Sequence, residues 1–120
     1  MNDRKKIVLI VEDEEDLRDF FQECLSSFGY DVFTYPNGKA ALEFLKVGPS
    51  PDIILSDLMM PEMNGWDFAQ ALKEDEVLRR IPLIVISALI DKSPPENSKC
   101  SLAKPFKLNE LLETIEKHAI

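Results

Sequence analysis

The sequence predicts an α/β fold: a doubly wound, five-stranded parallel sheet of order 2-1-3-4-5, with helices on both faces. Two observations predict it. Short continuous apolar runs rich in β-branched residues recur along the chain, as strands buried on both faces require. Between them lie stretches whose apolar residues recur at helical spacing. Strand and helix therefore alternate from end to end, with no linker, repeat or low-complexity segment. Right-handed crossovers leave few doubly wound orders for such a chain, and five short strands fit 2-1-3-4-5.

The elements follow in order. Residues 6–11 (KIVLIV) form the first buried strand. Leu17, Phe20, Phe21, Cys24, Leu25 and Phe28 then recur at helical spacing, and Gly29 offers a stop. Residues 30–35 (YDVFTY) read as a shorter second strand. Asn37 can cap a helix carrying Ala41, Phe44 and Leu45, which GPSP at 48–51 ends. Residues 52–56 (DIILS) are the third strand, followed by the loop DLMMPEMNG. Asn64 can cap a helix with Phe68, Ala69 and Leu72 inward. Residues 82–88 (PLIVISA) are the fourth strand, with Pro82 at the one position that tolerates it. Residues 101–103 (SLA) are a weak fifth strand, and Leu108, Leu111, Leu112 and Ile115 mark the last helix.

Bulk properties narrow the function. A chain of 120 residues is most simply one domain, residues 1–120, with a single core. Its net charge of −8 argues against nonspecific binding to nucleic acid or to an anionic membrane, both polyanions. No apolar stretch approaches the roughly 20 residues of a spanning helix. The basic-then-apolar start is too short for a signal peptide, and acids follow it. A cytoplasmic protein is expected, with Cys24 and Cys100 as reduced thiols.

The polar residues gather where such sheets bind ligands, beyond the carboxyl ends of the strands. The first strand ends in Glu12 and Asp13, the third in Asp57, the fourth in Ser87 and the fifth in Lys104. With strands 1 and 3 adjacent, Asp13 and Asp57 should be close. Clustered carboxylates repel one another unless a cation compensates, and a hard ion such as Mg²⁺ prefers oxygen ligands. A metal, a lysine and a hydroxyl around a carboxylate suit a phosphoryl group, and the carboxylate itself can be the nucleophile. Glu14, Glu15 and Asp16 instead suit the first turn of a helix, where its dipole favours acids. Trp66 reads as a partly exposed helix residue and His118 as a surface residue.

The pattern of VEDE (11–14), SDLMMPEMNGWDF (56–68), Ser87–Ala88 and LAKPF (102–106) resembles a receiver domain of the response regulators of two-component signalling. The likeness covers essentially the whole chain. It implies the flavodoxin-like fold; the 2-1-3-4-5 order is that of flavodoxin and the chemotaxis receivers, so it is not an independent derivation. It implies that Asp57 accepts a phosphoryl group from a phosphohistidine on a sensor histidine kinase or phosphotransfer protein. Mg²⁺ would be held by Asp13, Asp57, the backbone carbonyl of Met59, and Glu12 through water. Lys104 and Ser87 would contact phosphoryl oxygens. The Lys104–Pro105 bond would be cis, and Pro61 and Gly65 would shape the loop after Asp57.

The chain departs from the family pattern at several places. The aromatic residue usual three positions before the lysine is replaced by Ser101, which leaves open whether activation uses any aromatic switch. The segment LIDKSPPENSKC (89–100) has adjacent prolines and little periodicity, so a short or irregular fourth helix starting near the prolines, or an irregular loop, is expected there. Met59 and Leu89, two past Asp57 and Ser87, cannot orient an attacking water, so self-dephosphorylation should be slow.

The resemblance implies a phosphorylation-controlled signalling module, not an enzyme in the ordinary sense. It would signal through contacts with an unidentified downstream protein, as a monomer or weak dimer. A stand-alone receiver and one excised from a larger regulator both fit. The alternative is a receiver-fold binding module that works independently of phosphorylation. A phosphotransfer enzyme acting on small molecules lacks a second carboxylate two residues after Asp57, where Met59 stands.

Overall fold

The computed structural model describes residues 5–88 and 93–120. One five-stranded sheet organises them, in the order β2-β1-β3-β4-β5. Its strands are β1 (Ile7–Val11), β2 (Asp31–Tyr35), β3 (Ile53–Asp57), β4 (Leu83–Ser87) and β5 (Cys100–Ala103). All neighbouring pairs are parallel. The helices are α1 (Glu15–Ser27), α2 (Gly38–Val47), α3 (Gly65–Lys73) and α4 (Leu108–His118), with a short 3₁₀ turn at Leu78–Arg80. The expected order is the observed one.

The two faces of the sheet bury separate cores. On one, Val8, Ile10, Ile53, Leu55, Ile84 and Ile86 of the strands pack under Phe21 and Leu25 of α1 and Leu111 and Ile115 of α4. On the other, Leu9, Val11, Ile54 and Leu83 meet Ala41 of α2 and Phe68, Ala69 and Leu72 of α3. Successive strand residues point to opposite faces. That explains why β3 and β4 are buried throughout and read as continuous apolar runs.

Local signals set the helix ends. Asn37 Oδ1 accepts from the Ala40 N–H at 2.8 Å and Asn64 Oδ1 from the Asp67 N–H at 2.9 Å, so both expected caps form. Gly29 has φ +93°, the left-handed region that ends α1. Glu15 and Asp16 occupy the first turn of α1, as expected of acids near the positive end of the dipole.

The apolar face of α1 is narrower than its sequence suggests. Phe21 and Leu25 are fully buried, but Phe20 and Phe28 are 45% and 57% exposed. Phe28 is the C-cap, with ψ 10°, so it no longer follows the helical period. Phe20 flanks the inward stripe that Phe21 defines.

Of the proline-rich segment, residues 93–99 form a turn and extended chain with no helix; the expectations for residues 89–92 lie outside the described residues. The Ser98 N–H bonds Pro95 O at 3.0 Å and closes that turn. Residues 93–97 are held against α3. The Asn97 amide donates to Ala69 O at 3.1 Å, the Trp66 indole to Ser93 O at 3.0 Å, and Lys73 pairs with Glu96. Ser101 and Ala103 of β5 are exposed and small, whereas Leu102 points into the α1/α4 core.

Candidate phosphoacceptor site

The site is built at the carboxyl edge of three adjacent strands and β5. Asp57 is the last residue of β3, and β1 lies beside that strand. Its backbone pairs across to Ile86, so Ser87 lies one step further along the edge of β4. Ser87 in turn pairs with Ala103, and its carbonyl accepts from the Lys104 N–H at 3.0 Å. Parallel register, not sequence proximity, brings these positions to one rim.

The side chains then converge. One oxygen from each of Glu12, Asp13 and Asp57 lies within 4.8 Å of the others. Glu12 and Asp57 are buried, whereas Asp13 is exposed. Lys104 Nζ donates to Glu12 Oε1 at 3.0 Å and to Asp57 Oδ2 at 3.1 Å. Asp57 Oδ1 accepts from the Leu58 N–H at 2.7 Å and the Met59 N–H at 3.4 Å. Backbone and lysine together fix the direction of the carboxylate. The Met59 side chain is 57% exposed, at the outer side of this loop.

The electrostatics follow from burial and pairing. Burial pushes the Glu12 carboxyl up; bonds from Lys104 and the Glu14 N–H pull it back in part, and the Asp57 charge adds to the rise. Burial alone would lower the Lys104 ammonium, but its bond to Glu12 and the charges of Asp57 and Glu12 outweigh that, so it stays firmly charged. The two directions are compatible because the Glu12 side chain is 3% exposed and that of Lys104 is 23% exposed.

The donors present suit a hard divalent cation. The cluster offers only oxygens, with an exposed opening on the Asp13 side, as Mg²⁺ needs to retain waters or take a phosphoryl oxygen. The loop that follows is built tightly against Asp57. Gly65 opens α3 with its N–H on Leu58 O at 2.8 Å. A Cβ there would lie 2.6 Å from Asp57 O.

Residues 8–116 match the response regulator receiver domain. The chain belongs to that family. The receiver is 33% identical over 118 residues to the polar-differentiation response regulator DivK of Brucella anthropi, covering 94% of this chain and 95% of that protein. It is 40% identical over 109 residues to the sensor histidine kinase TmoS of Ectopseudomonas mendocina, covering 87% of this chain but 11% of the kinase. It also resembles the receiver domain of a Pseudomonas aeruginosa sensor histidine kinase, solved with magnesium coordinated in its active-site cleft. That match has TM-score 0.86 and 28% identity and covers 96% of this chain and 98% of the other.

The receiver's Lys104–Pro105 bond is cis, as the resemblance implied. Glu12, Asp13, Asp57 and Lys104 meet in one cluster, and Ser87 stands on the same rim. The direct Glu12–Lys104 pair was not legible in the sequence, which assigned Glu12 to metal and Lys104 to phosphate. Two further residues were missed. Arg18 reaches back from α1 to the carbonyls of Glu12 and Asp13, each at 2.9 Å. Asp52, 6% exposed, accepts from the Ile7 N–H at 2.7 Å and so anchors the start of β1. Neither belongs to a motif, and only an acid buried before an apolar run hinted at Asp52.

Proposed function

We propose that the receiver takes a phosphoryl group onto Asp57 from a phosphohistidine on a sensor histidine kinase or phosphotransfer protein and signals through contacts with a downstream protein. The observation that carries this is the Asp57 carboxylate itself, held by backbone N–H groups on one oxygen and by Lys104 on the other, beside two further acids.

In the transfer, an Asp57 oxygen attacks phosphorus, an O–P bond forms, the P–N bond breaks and the imidazole nitrogen keeps the electron pair. The Leu58 N–H orients the carboxylate for that attack. Asp13, Asp57 and the Met59 carbonyl would hold Mg²⁺, with Glu12 contributing through water. When bound, the ion offsets the repulsion between an anionic nucleophile and an anionic donor. Lys104 stabilises charge on a transferring phosphoryl oxygen, and the Ser87 hydroxyl bonds another. Met59 places no hydrogen-bonding side chain beside the acyl phosphate, so its hydrolysis is slow.

An apolar groove beside Lys104, lined by Leu17, Phe20, Ala88, Pro105 and Phe106, supports docking of the donor protein next to the acceptor. Its rim position lets a partner cover the site while the histidine reaches Asp57.

Incubating the protein with a small acyl phosphate and Mg²⁺, then measuring intact mass, tests the reading. A phosphoryl adduct is expected in the wild type and absent in Asp57→Asn and in EDTA. No adduct in the wild type would favour a binding module independent of phosphorylation. An adduct persisting in Asp57→Asn would overturn the site.

A further inference from the structure

We propose that Arg18 is a positioning residue for the metal site, acting through the backbone of the two acids that end the first strand. This rests on the Mg²⁺ reading above. Arg18 Nη1 donates to Glu12 O and to Asp13 O, both at 2.9 Å. Its own N–H bonds Glu14 O at 3.0 Å, as part of the opening turn of α1. The guanidinium therefore ties two successive loop carbonyls to a rigid helix.

The rest of the loop is fixed around that tie. The Glu12 N–H bonds Tyr35 O at 3.0 Å, and Glu12 Oε2 accepts from the Glu14 N–H at 3.2 Å. Asp13 differs from its neighbour. Glu12 is buried and paired with Lys104, whereas the Asp13 side chain is exposed. The direction of the Asp13 carboxylate thus depends on the peptide that carries it, and Arg18 holds that peptide. Both bonds come from the single Nη1, so one charged nitrogen on a long stem holds the two acceptors, and a charged donor binds them more strongly than a neutral one. Partners that orient metal ligands without touching the metal commonly matter to affinity.

A second role would act in the opposite direction. As a bare positive charge near the cluster, Arg18 would oppose binding of another cation. Removing it would then tighten Mg²⁺ binding, whereas losing a positioning residue weakens it. The sign of the change separates the two.

Calorimetric titration of the full chain with MgCl₂ is the test, on wild type, Arg18→Met, Arg18→Gln, Arg18→Lys and Asp13→Asn, each checked for folding by circular dichroism. Arg18→Met should weaken Mg²⁺ binding about tenfold. Arg18→Gln, too short to span both carbonyls, should weaken it likewise and replaces the Met variant if that fails to fold. Arg18→Lys, which keeps a charged donor of similar reach, should recover most of the affinity. Unchanged or tighter binding in the neutral variants, with wild type binding and Asp13→Asn impaired, would overturn the role of Arg18 and leave the metal reading intact. Wild type that binds no Mg²⁺ would overturn the metal reading itself.

Discussion

Lys104 Nζ lies 3.0 Å from Glu12 Oε1, although 92 residues separate the two in the chain. The same nitrogen lies 3.1 Å from Asp57 Oδ2. One ammonium thus serves two of the acids that the metal would share. It compensates a buried carboxylate in the metal-free protein, and it would compete with a divalent cation for the same oxygens.

Replacing Lys104 with Met should therefore separate stability from metal affinity. Glu12, with its side chain 3% exposed, would lose its counter-charge. Partial exposure of Lys104 moderates the effect, so a loss of about 1–3 kcal/mol is expected from urea unfolding without metal. Mg²⁺ should bind the variant more tightly than wild type and restore part of the stability by mass action. Weaker Mg²⁺ binding in Lys104→Met would show that the two cations do not compete.

The acids of the run from Glu12 to Asp16 should differ sharply. Asp13 offers an oxygen to the cluster, whereas Glu15 belongs to the first turn of α1. Asp13→Asn should weaken Mg²⁺ binding by at least about tenfold, and Glu15→Gln should leave it nearly unchanged. Equal losses in a Mg²⁺ titration would mean that the run acts only as a diffuse negative patch.

Gly65→Ala should damage both the loop and the site. The added Cβ would sit 2.6 Å from Asp57 O and from Leu58 Cα, backbone atoms that cannot swing aside. Overpacking of this kind costs about 1–3 kcal/mol. Because the clash bears on Asp57, the rate of phosphorylation by a small acyl phosphate should fall as well. A variant with wild-type rate and urea midpoint would show that α3 shifts freely relative to β3.

Asp52 supplies an anchor far from the chemistry. Its carboxylate accepts from the Ile7 N–H, and its own N–H bonds Ile7 O at 2.8 Å. Asp52→Ala leaves the N–H at the start of β1 without that acceptor and should cost about 1–3 kcal/mol by urea unfolding, with phosphorylation unchanged in the folded protein. A change under about 0.5 kcal/mol would show that water replaces the bond without loss.

Acid should release a second anchor, at Asp75. The N–H groups of Leu78 and Val77 bond its carboxylate and hold its pKa below the ordinary range. A depressed folded pKa means stability that is present above the pKa of the unfolded chain and lost as pH falls through the folded value. Carbon-detected NMR titration should place the Asp75 midpoint below that of an exposed aspartate. Asp75→Ala should flatten the acid limb of the stability profile slightly, the group being fully exposed. An ordinary midpoint would mean that the turn at Leu78–Arg80 does not depend on it.

The elements of this fold were legible because each rests on short-range rules. Apolar runs bounded by turn residues gave five strands within a residue or two of their observed ends. Asn37 and Asn64 gave their caps, and acids after β1 gave the start of α1. The candidate site was legible for the same reason: Asp57 and Ser87 end their strands, Glu12, Asp13 and Lys104 directly follow theirs, and a parallel sheet puts all such ends on one rim.

What the tertiary structure decided are the relationships between distant parts of the chain. Periodicity marked Phe20 and Phe28 as apolar partners of Phe21, but only packing against the sheet shows which ring is inside. Phe21 stacks on Phe106 with centroids 5.9 Å apart, and the other two meet solvent. The prolines left a short helix or an irregular loop open, and the docking of residues 93–97 on α3 depends on donors from Trp66 and Asn97 meeting backbone carbonyls across the fold. Motif and spacing named the acids and the lysine, but not that the lysine would bridge Glu12 and Asp57 or that Arg18 would hold their loop. Local propensity acts over a few residues along the chain. Ion pairs and hydrogen bonds act over a few ångströms in space, and only the closed sheet converts one distance into the other.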